Sequence, residues 1–570
     1  MPLASRKAAK PSARPALPGL SRRPGPGSVR AVATPAPPRN RRLSPANRPR
    51  PPIAAGEPVG GDLQPAAGED VSQRASAALP MPPAAPLPEQ GGPERYTMTR
   101  QFPSGRAGPL HPLTRADENE QLYAYEARIK EGFAQIVPTL KAVSARQYAT
   151  DFVPWAQAEG QRRLGFGFPE PILADAWVDR LDLRSLFAQA TFETFRQASR
   201  EHFAGGPLGV LGDGEAFRAF LLDCGFHEMN VTPCADGRLA HAISYVLRLP
   251  VGAVRRKSYA GALFDVEEAV QRWSSVEVGR LRAGQPNPAD APTRYLKAAM
   301  YHFSSLDPEH QGCAAHGSDT RRAATAALDR LEAFREAVEN SFCCGASIDV
   351  LLLGVDTDTD SLRVHLPDAQ GRIDIDRYVD AAAIYAETAH LEAERARAAI
   401  RKQLGGTAVG DGLQRLAARL IENNLSQIDY VLSYHGDHYP DPGHEERFIG
   451  VGMDFADVQL RNLTYFAFMR TVEEGRADLD VGIGIFRRLN VAHGLPIPIL
   501  VRFEYPGAVP GARERAIQRC EQVAAAIRAR YPDLAEKGLL HTYLTVRDSQ
   551  GTGSVECIGS SIRAWGANTP

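Results

Sequence analysis

The stretch VTPCADGRLAH (231–241) places three reactive side chains at two-residue intervals: Cys234, Asp236 and Arg238. A thiolate can bind a metal, a carboxylate can hold a proton, and a guanidinium can fix that carboxylate by paired hydrogen bonds. The preceding HEMNVT predicts a strand that ends near Cys234. Because α/β sheets bind ligands at the carboxyl ends of their strands, this loop is a candidate site. The alternative is that Cys234 is a small buried side chain without a chemical role.

A second stretch, YHFSSLDPEHQGCAAH (301–316), contains four further side chains of metal-binding type: His302, His310, Cys313 and His316. Cys234, one of these histidines and Cys313 would form a Cys2His site with an open fourth position, which is typical of catalytic zinc. Two thiolates and a neutral imidazole balance the charge of Zn²⁺, and water bound there would ionise near neutral pH. Asp236 would lie beside the metal, and Arg238 would keep that carboxylate ionised.

These motifs resemble those of a known family. Cys-x-Asp-x-Arg followed by a distant histidine and cysteine resembles the zinc site of the β-type carbonic anhydrases. The ADGRLAH continuation, the helical stretch before it and the α/β stretch after it resemble one diverged branch. That branch is the carboxysomal shell carbonic anhydrases, once called the ε class, and the resemblance covers residues 118–570.

The resemblance implies one zinc ion per chain, bound by Cys234, His302 and Cys313, with Asp236 and Arg238 as the catalytic pair. Ordinary β-type enzymes have His-x-x-Cys, which would select His310 instead. The carboxysomal branch has ten residues between the two ligands, as His302 and Cys313 have here. We therefore expect His302.

The resemblance also implies a reaction and its setting. The reaction is the reversible hydration of CO2, which supplies CO2 from bicarbonate to ribulose bisphosphate carboxylase inside an α-carboxysome of the bacterial cytoplasm. Dimers or higher oligomers are expected, with neither nucleic acid nor a membrane as partner. Two alternatives stay open: a carboxylase-binding scaffold with a structural metal, and a zinc hydrolase of another small carbonyl compound.

Residues 1–117 form the first predicted region. They are rich in Pro, Ala, Arg and Gly, and residues 1–50 hold twelve Lys and Arg but no acid. Such a stretch buries too little apolar surface to fold, so we predict a disordered basic arm. Its charge favours an acidic partner: a protein surface, nucleic acid or anionic lipid. The resemblance selects the carboxylase, shell proteins or both. A tail without a dedicated partner and an organelle transit peptide are the other interpretations.

The remainder predicts an α/β protein in three parts. Residues 118–205 have apolar spacing typical of a helical domain, 206–460 alternate strands and helices as the zinc domain, and 461–570 form a C-terminal domain without a metal site. The resemblance implies that this last domain is a degenerate relative of the zinc domain. A mostly parallel sheet is expected for 206–460, with strands at AISYVLRLP (242–250), SIDVLLLGVD (347–356) and IDYVLSYH (428–435). In 461–570 we predict strands around a helix at DVGIGIF (480–486), PILVRFEY (498–505) and LLHTYLTVRD (539–548).

Cysteine usage and hydropathy exclude other classes. The seven cysteines are few and scattered, which favours a reducing compartment over a disulfide framework. No apolar run is long enough to span a bilayer. Three histidines in YHGDHYPDPGH (434–444), namely His435, His438 and His444, would form either a second metal cluster or a loop near the active site in which one histidine moves protons.

Overall fold

In the computed structural model, the structure describes residues 109–204, 213–250, 252–284, 294–341, 347–405, 410–441, 443–453, 455, 459–550 and 555–562. Most of the predicted arm lies outside these residues. The segment 109–117 does not behave as an arm, because His111 is buried and its backbone N–H donates to Asp429 Oδ2 at 2.7 Å. The first helix already begins at Ala116. The predicted arm boundary at 117 is therefore too late in the chain.

The next part is helical, as predicted. Its helices are α1 (Ala116–Ala134), α2 (Ile136–Ala145), α3 (Phe152–Leu164), α4 (Glu170–Asp175) and α5 (Leu183–Phe203). The sequence reason is visible on α1, where three- and four-residue spacing puts Leu122, Tyr125, Ile129 and Phe133 on one buried face. That face belongs to a core shared with strands of the second sheet described below and with Tyr430 and Val431, so the helices are not an isolated bundle.

A six-stranded sheet follows in the order β2-β1-β3-β4-β5-β6. Its elements are α6 (Gly214–Asp223), β1 (Glu228–Pro233), β2 (Arg255–Arg256), α7 (Val266–Arg282), β3 (Arg294–Phe303), α8 (Thr320–Ser341), β4 (Ser347–Asp356), β5 (Leu362–His365) and β6 (Val379–Asp380). The first four strands in this order are parallel, and β5 and β6 are antiparallel. Apolar residues predominate in the central strands β3 and β4, as is typical of parallel strands covered on both faces.

Three helices then pack beside this sheet: α9 (Ala381–Thr388), α10 (Ala393–Gly405) and α11 (Asp411–Tyr434). The strand predicted at 428–435 is wrong, because this segment forms the last turns of α11. Its β-branched and aromatic residues favour a strand locally, but Ile421, Leu425 and Ile428 continue a buried helical face.

The strand predicted at 242–250 is also wrong. Residues Ala242–Val246 form a short π-helical turn that is entirely buried. Asn424 of α11 holds this turn, since its Nδ2 donates to Val246 O at 3.1 Å and to Asp360 O at 2.8 Å. A buried side-chain amide thus satisfies carbonyls that a strand would have paired with a neighbour.

A second sheet has five strands in the order β11-β10-β9-β7-β8. Its elements are β7 (Phe448–Gly452), β8 (Thr464–Phe468), α12 (Val472–Leu489), β9 (Ile497–Tyr505), α13 (Ala512–Arg530), α14 (Pro532–Ala535), β10 (Leu540–Asp548) and β11 (Val555–Ser560). The strands predicted at 498–505 and 539–548 are present. The strand predicted at 480–486 is wrong: it lies in α12, where Leu479, Ile483 and Phe486 form a buried helical stripe.

The two sheets share one topology. In the first, β2-β1-β3-β4 run parallel and β5 returns antiparallel; in the second, β8-β7-β9-β10 run parallel and β11 returns antiparallel. This agrees with a C-terminal domain that resembles the zinc domain. Because β7 pairs with β8 and β9, the change of sheet falls before Phe448 rather than at residue 460, where we predicted it. No helix among the described residues is both long and apolar enough to cross a membrane.

Candidate metal centre

Parallel pairing of β1 with β3 brings the first two candidate residues together. Pro233 lies opposite Met300 in the register, and the N–H of Cys234 donates to Met300 O at 3.1 Å. Cys234 therefore begins the loop after β1, while His302 is the penultimate residue of β3. Cys313 lies in the loop between β3 and α8. All three residues meet at the carboxyl edge of the first sheet, where ligands of α/β proteins bind.

The geometry of this group suits a small soft cation. The ligand atoms of Cys234, His302 and Cys313 all lie within 4.8 Å of one another, and the two sulfurs are 3.9 Å apart. Each residue is buried. Neither ring nitrogen of His302 makes a hydrogen bond to any described residue. A buried imidazole without a hydrogen bond needs an explanation, and a nitrogen left open beside two thiols fits a metal ligand.

His310, the competing histidine, lies elsewhere. Its side chain is 74% exposed, and its Nδ1 is 2.8 Å from Asp307 Oδ1. It is not part of the group that Cys234 and Cys313 form. Of the two histidines left open by the motif spacing, the structure brings only His302 to the sulfurs.

Asp236 and Arg238 form a buried, two-pronged ion pair. Nε of Arg238 donates to Asp236 Oδ1 at 3.0 Å, and Nη2 donates to Oδ2 at 2.8 Å. Burial alone would raise the pKa of the Asp236 carboxyl, but the charge of Arg238 outweighs burial and holds this pKa well below its usual value. Oδ2 of Asp236 lies 3.4 Å from His302 Nε2, so the ionised carboxylate faces the candidate metal group.

The same guanidinium joins two loops. Nη1 of Arg238 donates to Gln311 O at 2.6 Å, and Nη2 also approaches Gly312 O at 3.3 Å. These carbonyls directly precede Cys313. Arg238 therefore fixes the loop that carries Cys313 relative to the loop that carries Cys234 and Asp236.

A backbone donor completes the surroundings of Cys234. The N–H of Gly261 donates to Cys234 Sγ at 3.2 Å, an interaction that stabilises a thiolate. Gly261 has a φ of +66°, and a Cβ at this position would lie 2.4 Å from His316 Nε2. Both the backbone conformation and the close approach require glycine. Sequence reasoning missed this residue, because only the fold brings the AGA turn at 260–262 to the sulfur.

His444 lies at the other side of Asp236. Its Nε2 is 3.8 Å from Asp236 Oδ2, and its Nδ1 is 2.8 Å from Glu446 Oε1. Glu446 also accepts the N–H of Gly237 at 3.0 Å. Burial disfavours protonation of His444, but the carboxylates of Asp236 and Glu446 outweigh burial and raise its pKa above the usual value. The interpretation of the 434–444 segment as a loop near the site therefore fits His444.

The other two histidines of the 434–444 segment do not lie beside Asp236 and His444. His435 is half-buried beside aromatic rings, with its centroid 4.6 Å from that of Tyr439. His438 is partly exposed, and its Nδ1 is 2.6 Å from Asp437 Oδ1. A second metal cluster of His435, His438 and His444 is therefore not formed. The sequence could not identify Glu446 as the partner of His444, because this pair became visible only with the fold.

A very small cavity of about 10 Å³ opens beside these groups. Its lining combines residues of both sheets and their helices: Cys234, Asp236, Ala260, Gly261, Ala314, Ala315, His444, Tyr465, Val481 and Ile485. Tyr465 belongs to β8 and the last two residues to α12. The C-terminal part of the chain thus closes a site whose chemical groups come mostly from the first sheet, and the enclosed space is about the size of one water molecule.

Comparison with known proteins accounts for this arrangement. Three family models match the chain: the N-terminal part of the carboxysome shell carbonic anhydrases at residues 111–203, their catalytic domain at 216–444 and their C-terminal part at 445–562. The chain belongs to the carboxysome shell carbonic anhydrase family. The relative from Prochlorococcus marinus (strain MIT 9313) is 52% identical over 469 residues, which cover 81% of this chain and 91% of the relative.

Two further relatives support the assignment, and both are named carboxysome shell carbonic anhydrase. That of Parasynechococcus marenigrum (strain WH8102) is 54% identical over 79% of each chain. That of Halothiobacillus neapolitanus is 45% identical over 79% of this chain and 90% of the relative. The predictions of the family, of a carbonic anhydrase, of the α/β fold and of a carboxysomal location are thereby confirmed. A family of this kind also suggests a metal, for which the Cys234, His302 and Cys313 group is a candidate.

Proposed function

We propose that the chain binds one zinc ion through Cys234, His302 and Cys313 and catalyses the reversible hydration of CO2. The observation that carries this proposal is the buried group of two thiols and one imidazole, placed against an ionised carboxylate. When bound, zinc activates water as a nucleophile near neutral pH. Two thiolates and a neutral imidazole would cancel its charge, which a buried site requires.

Asp236 is the group that orients the reacting water. Its carboxylate is ionised and buried, and Arg238 binds both of its oxygens, so the orientation in which it can accept a further hydrogen bond is fixed. Because Arg238 keeps its proton, this pair holds a constant charge beside the reaction. The carboxylate also attracts the proton that must leave when bicarbonate forms. Arg238 acts through Asp236 and is a positioning residue.

The cavity favours a small substrate. Its lining includes the apolar side chains of Ala260, Ala314 and Ile485 and the polar side chains of Asp236 and His444. CO2 is linear, has no dipole and needs little space, so it suits a small cavity with apolar lining residues. A larger carbonyl substrate of the hydrolase alternative would need the wall to open.

His444 transfers the proton from the site to the solvent. It lies between Asp236 and Glu446, and its side chain is 17% exposed whereas Asp236 is only 3% exposed. A raised pKa lets it accept a proton near neutral pH, and its partial exposure lets buffer collect that proton.

The basic N-terminal arm determines where the enzyme is located. We infer that the basic clusters within 1–50 tether the enzyme to the acidic surface of ribulose bisphosphate carboxylase, shell proteins or both, through several weak contacts whose effects add up. The net reaction there is dehydration of bicarbonate, which delivers CO2 to the carboxylase. The chain would work as a dimer or a higher oligomer.

The zinc assignment is tested by stopped-flow CO2 hydration with zinc quantified in the same samples. The unmodified chain should contain about one zinc per chain and turn over rapidly. Cys313→Ala and His302→Ala should lose both the metal and the activity, because each removes one ligand. Cys520→Ala is the matched control, since Cys520 is also fully buried but lies in α13. Normal zinc in Cys313→Ala would contradict the proposal, and loss of zinc in His310→Ala would transfer the ligand role to His310.

For Arg238, we expect a substitution to affect turnover but not zinc content. Arg238→Ala should retain zinc but lower kcat by about 10²- to 10⁴-fold, because Asp236 loses its orientation and its fixed charge. Arg502→Ala serves as the control, because Arg502 is equally buried but lies in β9. We expect it to lower stability without lowering turnover per zinc. Unchanged kcat in Arg238→Ala would remove this residue from the mechanism.

Proton transfer through His444 predicts a kinetic signature. His444→Gln should lower kcat roughly tenfold in dilute buffer, leave kcat/KM nearly unchanged and recover when imidazole is added. His438→Gln, in the same loop but exposed, should change neither constant. Equal losses of kcat and kcat/KM without rescue would show that His444 only shapes the site.

The tether is tested in the full-length chain by neutralising Arg39, Arg41, Arg42, Arg48 and Arg50 to Gln. Binding to purified carboxylase should weaken roughly tenfold or more at low salt, while CO2 hydration stays unchanged. The same number of exposed arginines changed within the folded part is the control for total charge. Unaltered carboxylase binding would show that these clusters are not the tether.

A further inference from the structure

Lys297 is a buried cation that the mechanism does not use. It lies in β3 and is 3% exposed, although lysine is rarely buried without a paired charge. Its Nζ donates to Asn230 Oδ1 at 2.6 Å and to Thr232 Oγ1 at 2.8 Å, and it lies 4.2 Å from the centroid of the Phe264 ring. Among the residues that the structure describes, no carboxylate is within ion-pair distance of this nitrogen. Two neutral acceptors and an aromatic face replace the usual acid.

Lys297 also lines a cavity of about 310 Å³. Cations dominate the charged residues of its wall: Arg255, Arg256, Lys257, Arg272 and Arg470, against Asp265 and Glu268. Glu268 is engaged by Lys257, Tyr259 and Arg470, and Arg272 pairs with Glu228. The cavity therefore has room for a small molecule and an excess of positive charge around it.

The surroundings change the protonation of Lys297. Burial, followed by the charge of Lys257, lowers the pKa of the Lys297 ammonium to about 7. The charged groups that act on it from the packed elements are Lys257 after β2, Glu268 in α7 and Glu228 in β1. An ordinary lysine has a pKa of about 10.4 and is protonated at neutral pH. Lys297 instead holds a neutral amine with a free lone pair in much of the population, and this fraction increases as the pH rises through 7.

We propose that Nζ of Lys297 is a site of reversible carbamylation by CO2, separate from the metal centre. The amine lone pair attacks the carbon of CO2 and forms an N–C bond, while one C–O π pair moves onto oxygen. The nitrogen then releases one proton to water, which leaves a carbamate with one negative charge. The reverse reaction returns CO2. No oxidant or further reagent is needed, and CO2 is the substrate of this enzyme family.

The side chains around Nζ can hold the carbamate. After modification the nitrogen keeps one N–H for one of its two acceptors. The Thr232 hydroxyl can turn to donate to a carbamate oxygen, and the Asn230 amide can rotate to present its NH2. The positive wall of the cavity, with Lys257 acting on this position already, supplies the counter-charge. The modification would thus convert a costly buried cation into an anion among cations.

The site is coupled to the metal centre through the backbone. Thr232 lies in β1, two residues before Cys234. On the other side, Ala235 donates its N–H to Tyr259 O, and Gly261 of the same segment donates to Cys234 Sγ. Carbamylation would therefore change the charge beside both segments that position this sulfur. The proposal does not depend on the zinc assignment, because CO2 can be added directly.

The test is chemical trapping of the carbamate in the full-length protein. At each pH the chain is equilibrated with ¹³C-labelled CO2 held at one fixed gas pressure, treated with triethyloxonium ion to convert carbamate to its stable ethyl ester, and mapped by mass spectrometry of peptides. The labelled ester should be found at Lys297 and increase from about pH 6 to about pH 8, following the neutral amine. Exposed Lys141, Lys402 and Lys537 are internal controls, and they should carry far less label.

Variants complete the test. Lys297→Met keeps the length of the side chain and should abolish the label at this position, whereas Lys141→Met should leave the Lys297 label unchanged. Arg238→Ala should also keep it, since direct CO2 rather than turnover supplies the carbon. Absence of the ester from the Lys297 peptide of the unmodified chain, or label no greater than at the exposed lysines, would overturn the proposal. This result can be read even if Lys297→Met does not fold.

Discussion

The structure of the site depends on one buried guanidinium. Arg238 binds both oxygens of Asp236 and the carbonyls of Gln311 and Gly312, so a single side chain ties together the two loops that carry the cysteines. An arginine buried without such partners would cost several kcal/mol, and the paired geometry offsets that cost. The same contacts decide the chemistry, because they keep Asp236 ionised at a fixed distance from His302. The contacts of Arg238 therefore determine both the stability of the two loops and the protonation state of Asp236.

The second sheet contributes none of the three residues Cys234, His302 and Cys313, but it encloses them. Its topology repeats that of the first sheet, but Met453 follows β7 at the place where Cys234 follows β1. Its contribution is an enclosing surface: Val481 and Ile485 of α12 close the cavity. Glu446, just before β7, orients His444. A small space that excludes bulk water strengthens electrostatic interactions between the charged groups around it, so the enclosure matters as much as the groups it covers.

The sequence was most informative where chemistry and local pattern agree. Cys-x-Asp-x-Arg predicted a contact between two neighbouring side chains, and a long apolar run such as β4 predicted a central strand. Sequence reasoning failed at 428–435 and 480–486, where β-branched and aromatic residues favour strands but packing against a sheet produces helices. Gly261 and Glu446 were missed for another reason. Each acts through a partner distant in sequence, and no local pattern reports such a contact.

Buried charge is managed in two ways in this protein. Arg238 pairs with Asp236, and the charge of this carboxylate raises the pKa of the guanidinium above its usual value, so Arg238 keeps its proton. Lys297 has neutral acceptors instead, so its charge is lost near neutral pH. A fixed charge suits a group that must orient water in every turnover. When Lys297 loses its proton, its neutral amine is a nucleophile. CO2, the substrate of this enzyme family, is the electrophile that this amine can attack. The arginine at position 238 thus gives the metal centre a charge that is independent of pH, whereas the lysine at position 297 gives the neighbouring cavity a charge that changes near neutral pH.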